Sequence, residues 1–140
     1  MTNKQFYLLS FTWGLIMTVI GLISALVLIC TGHKSKAYGR CLHFTVGENW
    51  GGVSLGIVII TDATPTDHTL RHEHGHALQN VKYGVAFPLI VAIPSFIRYW
   101  VREIQYRSGH PPKTDYDAIW FEKEATELGT EYVTKWNIEV

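Results

Sequence analysis

The chain is poor in cysteine: Cys30 and Cys41 are the two such residues among its 140. They do not have the Cys-x-x-Cys spacing of thiolate zinc sites, which excludes a zinc knuckle built on paired cysteines. Whether the two form a disulfide or are unrelated thiols is left open by the sequence. The cysteines therefore do not indicate a redox compartment.

An excess of charge of either sign is also lacking. Twelve lysines and arginines balance twelve aspartates and glutamates, and the basic residues are not concentrated in one stretch. Domains that bind nucleic acids need a basic face to contact phosphates, so DNA and RNA are not expected partners. At this length the chain holds one domain at most, once any membrane segment is set aside.

Charge is absent altogether from residues 6–30, a run of twenty-five mostly apolar residues. About 20 residues, each rising about 1.5 Å, cross the hydrocarbon core of a bilayer, so the run predicts one transmembrane helix. A cleaved signal peptide normally has a shorter apolar stretch and an A-x-A site, which is missing here. We therefore expect an N-terminal transmembrane anchor over residues 1–31 and a separate domain over residues 32–140.

The basic residues around this run indicate its orientation. Lys4 precedes it, whereas Lys34, Lys36 and Arg40 follow it closely. Basic residues prefer the cytoplasmic side of a membrane helix. The expected protein is thus a single-pass membrane protein with its domain on the cytoplasmic side.

Beyond the run, the first predicted elements are two strands and a helix. Residues 40–46 and 53–61 are β-prone, and the turn formers between them predict a β-hairpin. A helix is predicted over residues 65–83, with Thr64 as its N-cap and Gly84 at its C-terminus.

Two further segments complete the predicted elements. Residues 85–97 are apolar but too short to span a bilayer, which leaves a buried core segment or a re-entrant or interfacial element. A last helix is predicted to start after Thr114 or Asp115 and to run to about Asn137.

The most specific motif is HEHGH at residues 72–76, which lies inside the predicted helix and matches the pattern HExxH. Residues four apart lie on one helix face, so His72 and His76 can both bind a zinc ion about 2.0–2.1 Å away. Glu73 lies about 100° around the helix and can reach a water molecule in the open coordination position. The pattern therefore predicts two zinc ligands and one general base.

The remaining histidines are weaker candidates. His68 and His76 are two turns apart, about 12 Å at 1.5 Å per residue, which is too far for one ion. A pair of His68 and His72 stays possible but leaves the glutamate of the motif without a role. His74 is expected to point away from the site. His110 or Tyr132 could stabilise an oxyanion, and nothing in the sequence selects one of them.

Residues 122–126 read EKEAT, and here the chain resembles the gluzincin metallopeptidases. In that family a glutamate in an E-x-x-[AS]-D-like pattern on a later helix completes the site. Glu122 matches this ligand and Ala125 the small residue. Thr126 stands where the family usually has an aspartate that orients the first histidine. The resemblance implies a zinc ion held by His72, His76 and Glu122.

The position of Glu122 supports it independently against Glu124, the alternative third ligand. On a helix Glu122 shares a face with small residues that allow close packing, whereas Glu124 and Glu127 point elsewhere. The residues predicted on that face are Ala118, Glu122, Ala125, Gly129 and Tyr132.

Two neighbouring zinc families fit less well. Metzincins need a glycine three residues after the second histidine of the motif, and this chain has Gln79 there. Site-2-type membrane proteases share the HExGH form but place it in a hydrophobic helix and use an aspartate in an LDG-like segment. The predicted helix instead carries several polar residues: Asp67, Arg71, Gln79, Asn80 and Lys82.

Together the elements predict an α+β fold in which an N-terminal transmembrane helix precedes a minimal zincin-like domain. That domain would comprise the β-hairpin, the HExxH helix and the C-terminal helix with the third ligand. The expected function is a zinc-dependent, membrane-anchored metalloendopeptidase in which Glu73 activates a zinc-bound water. Its expected partners are a peptide or protein substrate and the lipid bilayer. The alternatives are a non-catalytic, membrane-tethered zinc-binding module and a relative of the site-2-type proteases.

Overall fold

A computed structural model describes residues 1–136 and has the expected α+β architecture, with five α-helices and one four-stranded sheet among those residues. The elements are α1 (Asn3–Ser10), α2 (Leu15–Cys30), β1 (Lys36–Tyr38), β2 (Cys41–Thr45), β3 (Gly52–Leu55), β4 (Val58–Thr61), α3 (Asp67–Tyr83), α4 (Ile93–Arg107) and α5 (Trp120–Trp136).

The sheet has the strand order β1-β2-β4-β3 and differs from the predicted hairpin. Residues 53–61 do not form one strand, because Gly56 adopts a φ of 64° and turns the chain between β3 and β4. Gly39, with a φ of 57°, makes a second tight turn between β1 and β2. Glycine at the first central position favours two-residue hairpins of this kind. The prediction of a hairpin between residues 40–46 and 53–61 is therefore wrong, since β2 and β4 pair in parallel.

The predicted continuous helix over residues 6–30 is also wrong, because α1 and α2 meet at 89°. The break lies just before Gly14, whose carbonyl accepts a hydrogen bond from Asn80 Nδ2 at 3.2 Å. A Cβ atom on Gly14 would lie 2.6 Å from that nitrogen, so the bend depends on a residue without a side chain.

No single helix within residues 1–136 is long and apolar enough to cross a bilayer. Two pairs of helices, each joined at a sharp bend, are long and apolar enough when the two helices are taken together. They are residues 3–10 with 15–30, and residues 67–86 with 88–107.

The N-terminal helices pack directly on the rest of the chain. In α2, a Cβ atom on Gly21 would lie 2.0 Å from the carbonyl oxygen of Leu55, so this helix lies against β3. Phe6 of α1 is fully buried in a core cluster with Tyr38 and Phe44. The division between an anchor at residues 1–31 and a domain at residues 32–140 stays a prediction.

Helix α3 begins two residues later than predicted. Thr66 rather than Thr64 is its N-cap, and its hydroxyl accepts a hydrogen bond from the backbone of Thr69. The predicted C-terminal stop at Gly84 is confirmed, with a φ of 56°. Lastly, α5 begins at Trp120 after a short 3₁₀ turn, and the predicted end of this helix at Asn137 lies outside the described residues.

The segment predicted at residues 85–97 forms the approach to α4. It makes a 3₁₀ turn, then a π-helical turn over Pro88–Ala92, and enters α4 at Ile93. Phe87 and Val91 are buried against Met17, whereas most other apolar side chains of the segment are exposed. The segment therefore has one buried side and one exposed side.

The contact between α3 and α5 positions the predicted site. A Cβ atom on Gly75 would lie 1.7 Å from the carbonyl oxygen of Ala125, and one on Gly129 would lie 1.8 Å from that of Arg71. The two helices thus touch backbone to backbone. The small-residue face predicted for α5 is the face that makes this contact.

Gly75→Ala is expected to destabilise the protein. In an open helix this change stabilises by up to about 1 kcal/mol, but here it forces α3 and α5 apart at an expected cost of about 1–3 kcal/mol. Urea unfolding monitored by circular dichroism measures the difference. Lys123→Ala, on the exposed side of α5, is the control, and a stabilised Gly75→Ala protein would contradict the close contact.

Candidate metal centre

Three nitrogen and oxygen atoms from α3 and α5 converge at one buried point. Nε2 of His72 and Nε2 of His76 lie 3.1 Å apart, and both lie within 3.2 Å of Oε2 of Glu122. Ligands of a tetrahedral zinc ion at about 2.0–2.1 Å are about 3.3 Å from one another. This buried His/Glu group is able to hold a metal ion.

His72 is oriented by a chain of two further residues. The Thr126 hydroxyl donates to Oδ2 of Asp117 at 2.7 Å, so its oxygen is left to accept from Nδ1–H of His72 at 2.8 Å. A proton on Nδ1 leaves Nε2 with the lone pair that a metal needs. Thr126 thus orients His72 directly, and Asp117 supplies a carboxylate one hydrogen bond further away.

Thr126→Val keeps the shape of the side chain and removes this link. We expect zinc affinity to fall about 10–100-fold, because the orienting partner of a ligand histidine is lost. Competition with a chromogenic chelator measures the affinity. Thr130→Val, at an exposed position of α5, should bind zinc as the wild type does, and equal affinities in both variants would refute the role of Thr126.

His76 is oriented by Gln79. Its Nδ1–H donates to the amide oxygen of Gln79 at 2.8 Å, and the amide nitrogen of Gln79 donates to the Phe121 carbonyl and to Glu124. Nε2 of His76 is again left for a metal. The sequence did not predict this contact of Gln79, because no motif links it to His76.

Glu122 is fully buried and receives a second contact from α4. Its Oε1 accepts a hydrogen bond from the Ser95 hydroxyl at 2.5 Å. Burial alone would raise the pKa of Glu122, but in the metal-free site the imidazoles of His72 and His76, which donate from Nε2 when they are protonated, hold it well below its usual value. Glu122 is therefore an anionic ligand at neutral pH.

Glu124, the alternative ligand, is engaged elsewhere. Its carboxylate accepts hydrogen bonds from Gln79, Lys82 and Tyr83. It anchors the C-terminal end of α3 rather than joining the histidine pair.

Glu73 lies beside the site, against strand β3. A Cβ atom on Gly52 would lie 2.9 Å from Cγ of Glu73, so only glycine at this position leaves room for the Glu73 side chain beside the strand. Burial raises the pKa of Glu73, against the opposing effect of His76 and His72. A carboxylate with a raised pKa is a better proton acceptor than one with the usual pKa.

His72, Glu73 and His76 open into a cleft of about 680 Å³ between β3 and α4. The cleft is also lined by Tyr116, whose ring centroid is 6.0 Å from that of His72. Burial, followed by the charge of Glu122, raises the pKa of Tyr116, so its hydroxyl stays protonated. Tyr116 was not among the sequence candidates, because no motif surrounds it.

The two oxyanion candidates from the sequence lie away from this cleft. Tyr132 stacks on His74 with 4.3 Å between the ring centroids. His110 is exposed and bonds to the Ser108 carbonyl. Neither lines the cleft.

His68 lies outside the buried group. Its Nε2 is 3.7 Å from Oδ2 of Asp117, and with His72 these residues form a second, more exposed set of metal-capable groups. The two sets share His72, whose Nδ1 is occupied by Thr126.

His74 points away from the site into the core, as expected. Its Nε2 accepts from the Arg40 backbone at 3.5 Å, and burial lowers its pKa from 6.5 to about 4. The unfolded chain therefore binds a proton between these pH values and the folded chain does not. Stability contributed by neutral His74 is lost as pH falls from 6.5 to 4.

This pH dependence is testable with His74→Gln. Between pH 6.5 and pH 4 the free energy of unfolding should fall by about 3 kcal/mol because of His74, since each pKa unit corresponds to about 1.4 kcal/mol. Urea unfolding of metal-free wild type and His74→Gln at both ends of the window isolates the histidine, because all other titrating groups are shared. We expect the free energy of unfolding of the wild type to fall relative to that of His74→Gln in acid. A difference between the two proteins that does not change with pH would contradict this.

Comparison with known proteins adds nothing to this geometry. No protein-family model, curated protein or solved structure matches the chain. The chemistry of the site therefore rests on its own residues.

Proposed function

We propose that the protein is a zinc-dependent hydrolase, most specifically a metalloendopeptidase with a minimal zincin-like domain. The observation that carries this proposal is the placement of Glu73 in the same cleft as His72 and His76, with Glu122 behind them. Two histidines and one carboxylate are a donor set of catalytic zinc sites, which keep one position open. A purely structural site would not need a buried carboxylate beside its ligands.

The residues of the chain would divide the work of hydrolysis. Zinc, when bound by His72, His76 and Glu122, supplies a Lewis acid and a water of lowered pKa. Glu73 accepts the proton of the attacking water and returns it to the leaving amine. Tyr116 donates a hydrogen bond from its hydroxyl to the oxygen that becomes negative as the carbonyl is attacked.

Strand β3 supports a peptide as the substrate. It is the last strand of the sheet, and residues 52–55 line the cleft beside the histidine pair. An edge strand can pair with an extended peptide through backbone hydrogen bonds. A peptide bound in this way would pass the three ligands and Glu73.

The lipid bilayer is the second proposed partner. Residues 6–30 carry no charge, and α2 exposes bulky apolar side chains along one broad face. We infer that α1 and α2 insert into the bilayer as a bent pair, with the catalytic side in the cytoplasm by the charges around them.

The proposal is tested by metal content and hydrolysis together. Full-length protein purified in mild detergent should hold about one zinc per chain, measured by inductively coupled plasma mass spectrometry. It should cleave β-casein, lose this activity with 1,10-phenanthroline and regain it with added zinc. Stoichiometric zinc without hydrolysis would favour a non-catalytic module, whereas absence of bound zinc would refute both.

A further inference from the structure

Helix α4 exposes its apolar side. Six bulky apolar side chains on one face of this helix are between 44% and 65% exposed. They are Ile93, Phe96, Ile97, Trp100, Val101 and Ile104.

The opposite, polar face of α4 packs on the protein. Ser95 donates to Glu122, Arg98 donates to the carbonyl of Tyr116, and the Tyr99 hydroxyl donates to the carbonyl of Trp50. These bonds fix the rotation of α4 about its axis. A helix in water normally has the reverse arrangement, with its apolar stripe on the core. The apolar face of α4 is therefore built for an apolar environment outside the protein.

The segment that leads into α4 packs on α2. Met17 of α2 packs in one cluster with Phe87 and Val91, which precede α4. Residues 5–33 and 83–97 contain no charged side chain, apart from histidine in the protonated form. The exposed apolar side chains of α2 are Leu15, Ile16, Val19, Ile20, Leu22, Ile23, Leu26, Val27 and Ile29.

The chemistry of the two exposed apolar faces matches a bilayer better than a second protein. An interface between proteins has an apolar centre and a polar rim, whereas here two charge-free stretches of chain adjoin. On α4 the exposed Trp100 is followed by Arg107, whose side chain is also exposed. Aromatic and basic residues of this kind suit the anionic headgroup region.

The cleft opens at this same surface. Phe96 and Trp100 are exposed on α4 and also line the cleft, whose other apolar lining includes Met17 and Phe87. A peptide that lies in the headgroup region would reach the ligands without leaving the apolar surface. A peptide that does not bind the membrane would have to enter the cleft from water.

We propose that the apolar face of α4 rests in the bilayer and that the substrates are apolar peptide segments presented at the membrane surface. This inference rests on the proposed hydrolase for its substrate half. Its docking half stands on the exposed faces of α2 and α4 alone.

The docking half is tested by fluorescence quenching. Wild type and Trp100→Phe are reconstituted in phosphatidylcholine vesicles with a minority of phosphatidylglycerol and bromine on the lipid chains. The difference between the two spectra isolates Trp100 among the five tryptophans. We expect Trp100 to be strongly quenched, and emission unchanged by the brominated lipid would overturn the docking of α4.

The substrate half is tested by a matched pair of substitutions at neighbouring positions. Ile104→Glu places a charge on the exposed apolar face, and Gln105→Glu places the same charge away from it. The substrate is a fluorogenic peptide from a β-casein site that the wild type cleaves, with and without a palmitoyl chain. The ratio of kcat/KM for the two peptides is measured in vesicles.

We expect the wild type and Gln105→Glu to prefer the palmitoylated peptide by roughly tenfold or more, because confinement raises its effective concentration. In Ile104→Glu this preference should fall severalfold, while cleavage of the free peptide is kept. An unchanged preference in Ile104→Glu overturns the inference. If the wild type cleaves no casein, the hydrolase proposal fails, and the quenching of Trp100 still decides whether α4 docks.

Discussion

Replacing Glu73 by glutamine is expected to reduce kcat by about 10³-fold while about one zinc ion stays bound per chain. The amide has nearly the shape of the carboxylate but cannot accept the proton of the attacking water. Glu73 is not among the three converging ligand atoms, so metal affinity should be kept. The measurement is initial-rate hydrolysis of β-casein together with metal content on the same preparation.

Glu48→Gln is the matched control for this prediction. Glu48 lines the same cleft but is exposed, so the substitution removes one negative charge without removing the buried base. Its kcat should equal that of the wild type. If Glu73→Gln kept more than a tenth of the wild-type activity, another group would have to be the base.

The second large effect is expected on metal binding in Glu122→Ala and in His76→Ala. Each removes one of the three converging atoms, so zinc affinity should fall by more than the roughly 10–100-fold expected for an orienting residue such as Thr126. Glu122→Ala also leaves the Ser95 hydroxyl without its partner. Chelator competition measures the affinity, and melting with and without zinc measures the linked stability.

Glu127→Ala separates loss of a ligand from general damage to α5. Glu127 is exposed on the same helix and forms a surface ion pair with Lys123, so zinc binding should be unchanged. Retention of zinc at full affinity in both Glu122→Ala and His76→Ala would refute the site. Loss of zinc in one of them alone would mean that the other residue is not a ligand.

The local features of the site were predictable because they depend on short spacings. The i, i+4 spacing of His72 and His76 and the stop at Gly84 are properties of a few neighbouring residues. The face of α5 that meets α3 also follows from helical geometry, since Ala125 and Gly129 are four residues apart. Their close approach to α3 agrees with that prediction.

The supporting contacts were not predictable because they join distant parts of the chain. Asp117 reaches His72 only through Thr126, and Ser95 reaches Glu122 across 27 positions. The break at Gly14 depends on Asn80, 66 residues away. A local pattern carries no information about such pairs, so a charge-free run reads as one straight helix.

The prediction of the strand pairing was wrong for a different reason. Gly56 lies within an otherwise apolar, β-branched run, and a glycine there fits either a bulge in one strand or a turn between two. Only pairing decides between them. Here Leu55 pairs with Val58, and β4 then lies parallel to β2.

The contact of Gly21 with Leu55 has a practical consequence for protein production. Membrane enzymes are often trimmed of an apolar N-terminus to obtain a soluble fragment. In this protein that cut would remove the helix that supports β3, the strand beside Glu73, and would uncover the backbone of Leu55. A fragment starting after residue 31 is expected to lose the shape of its cleft, so preparations should retain residues 1–31.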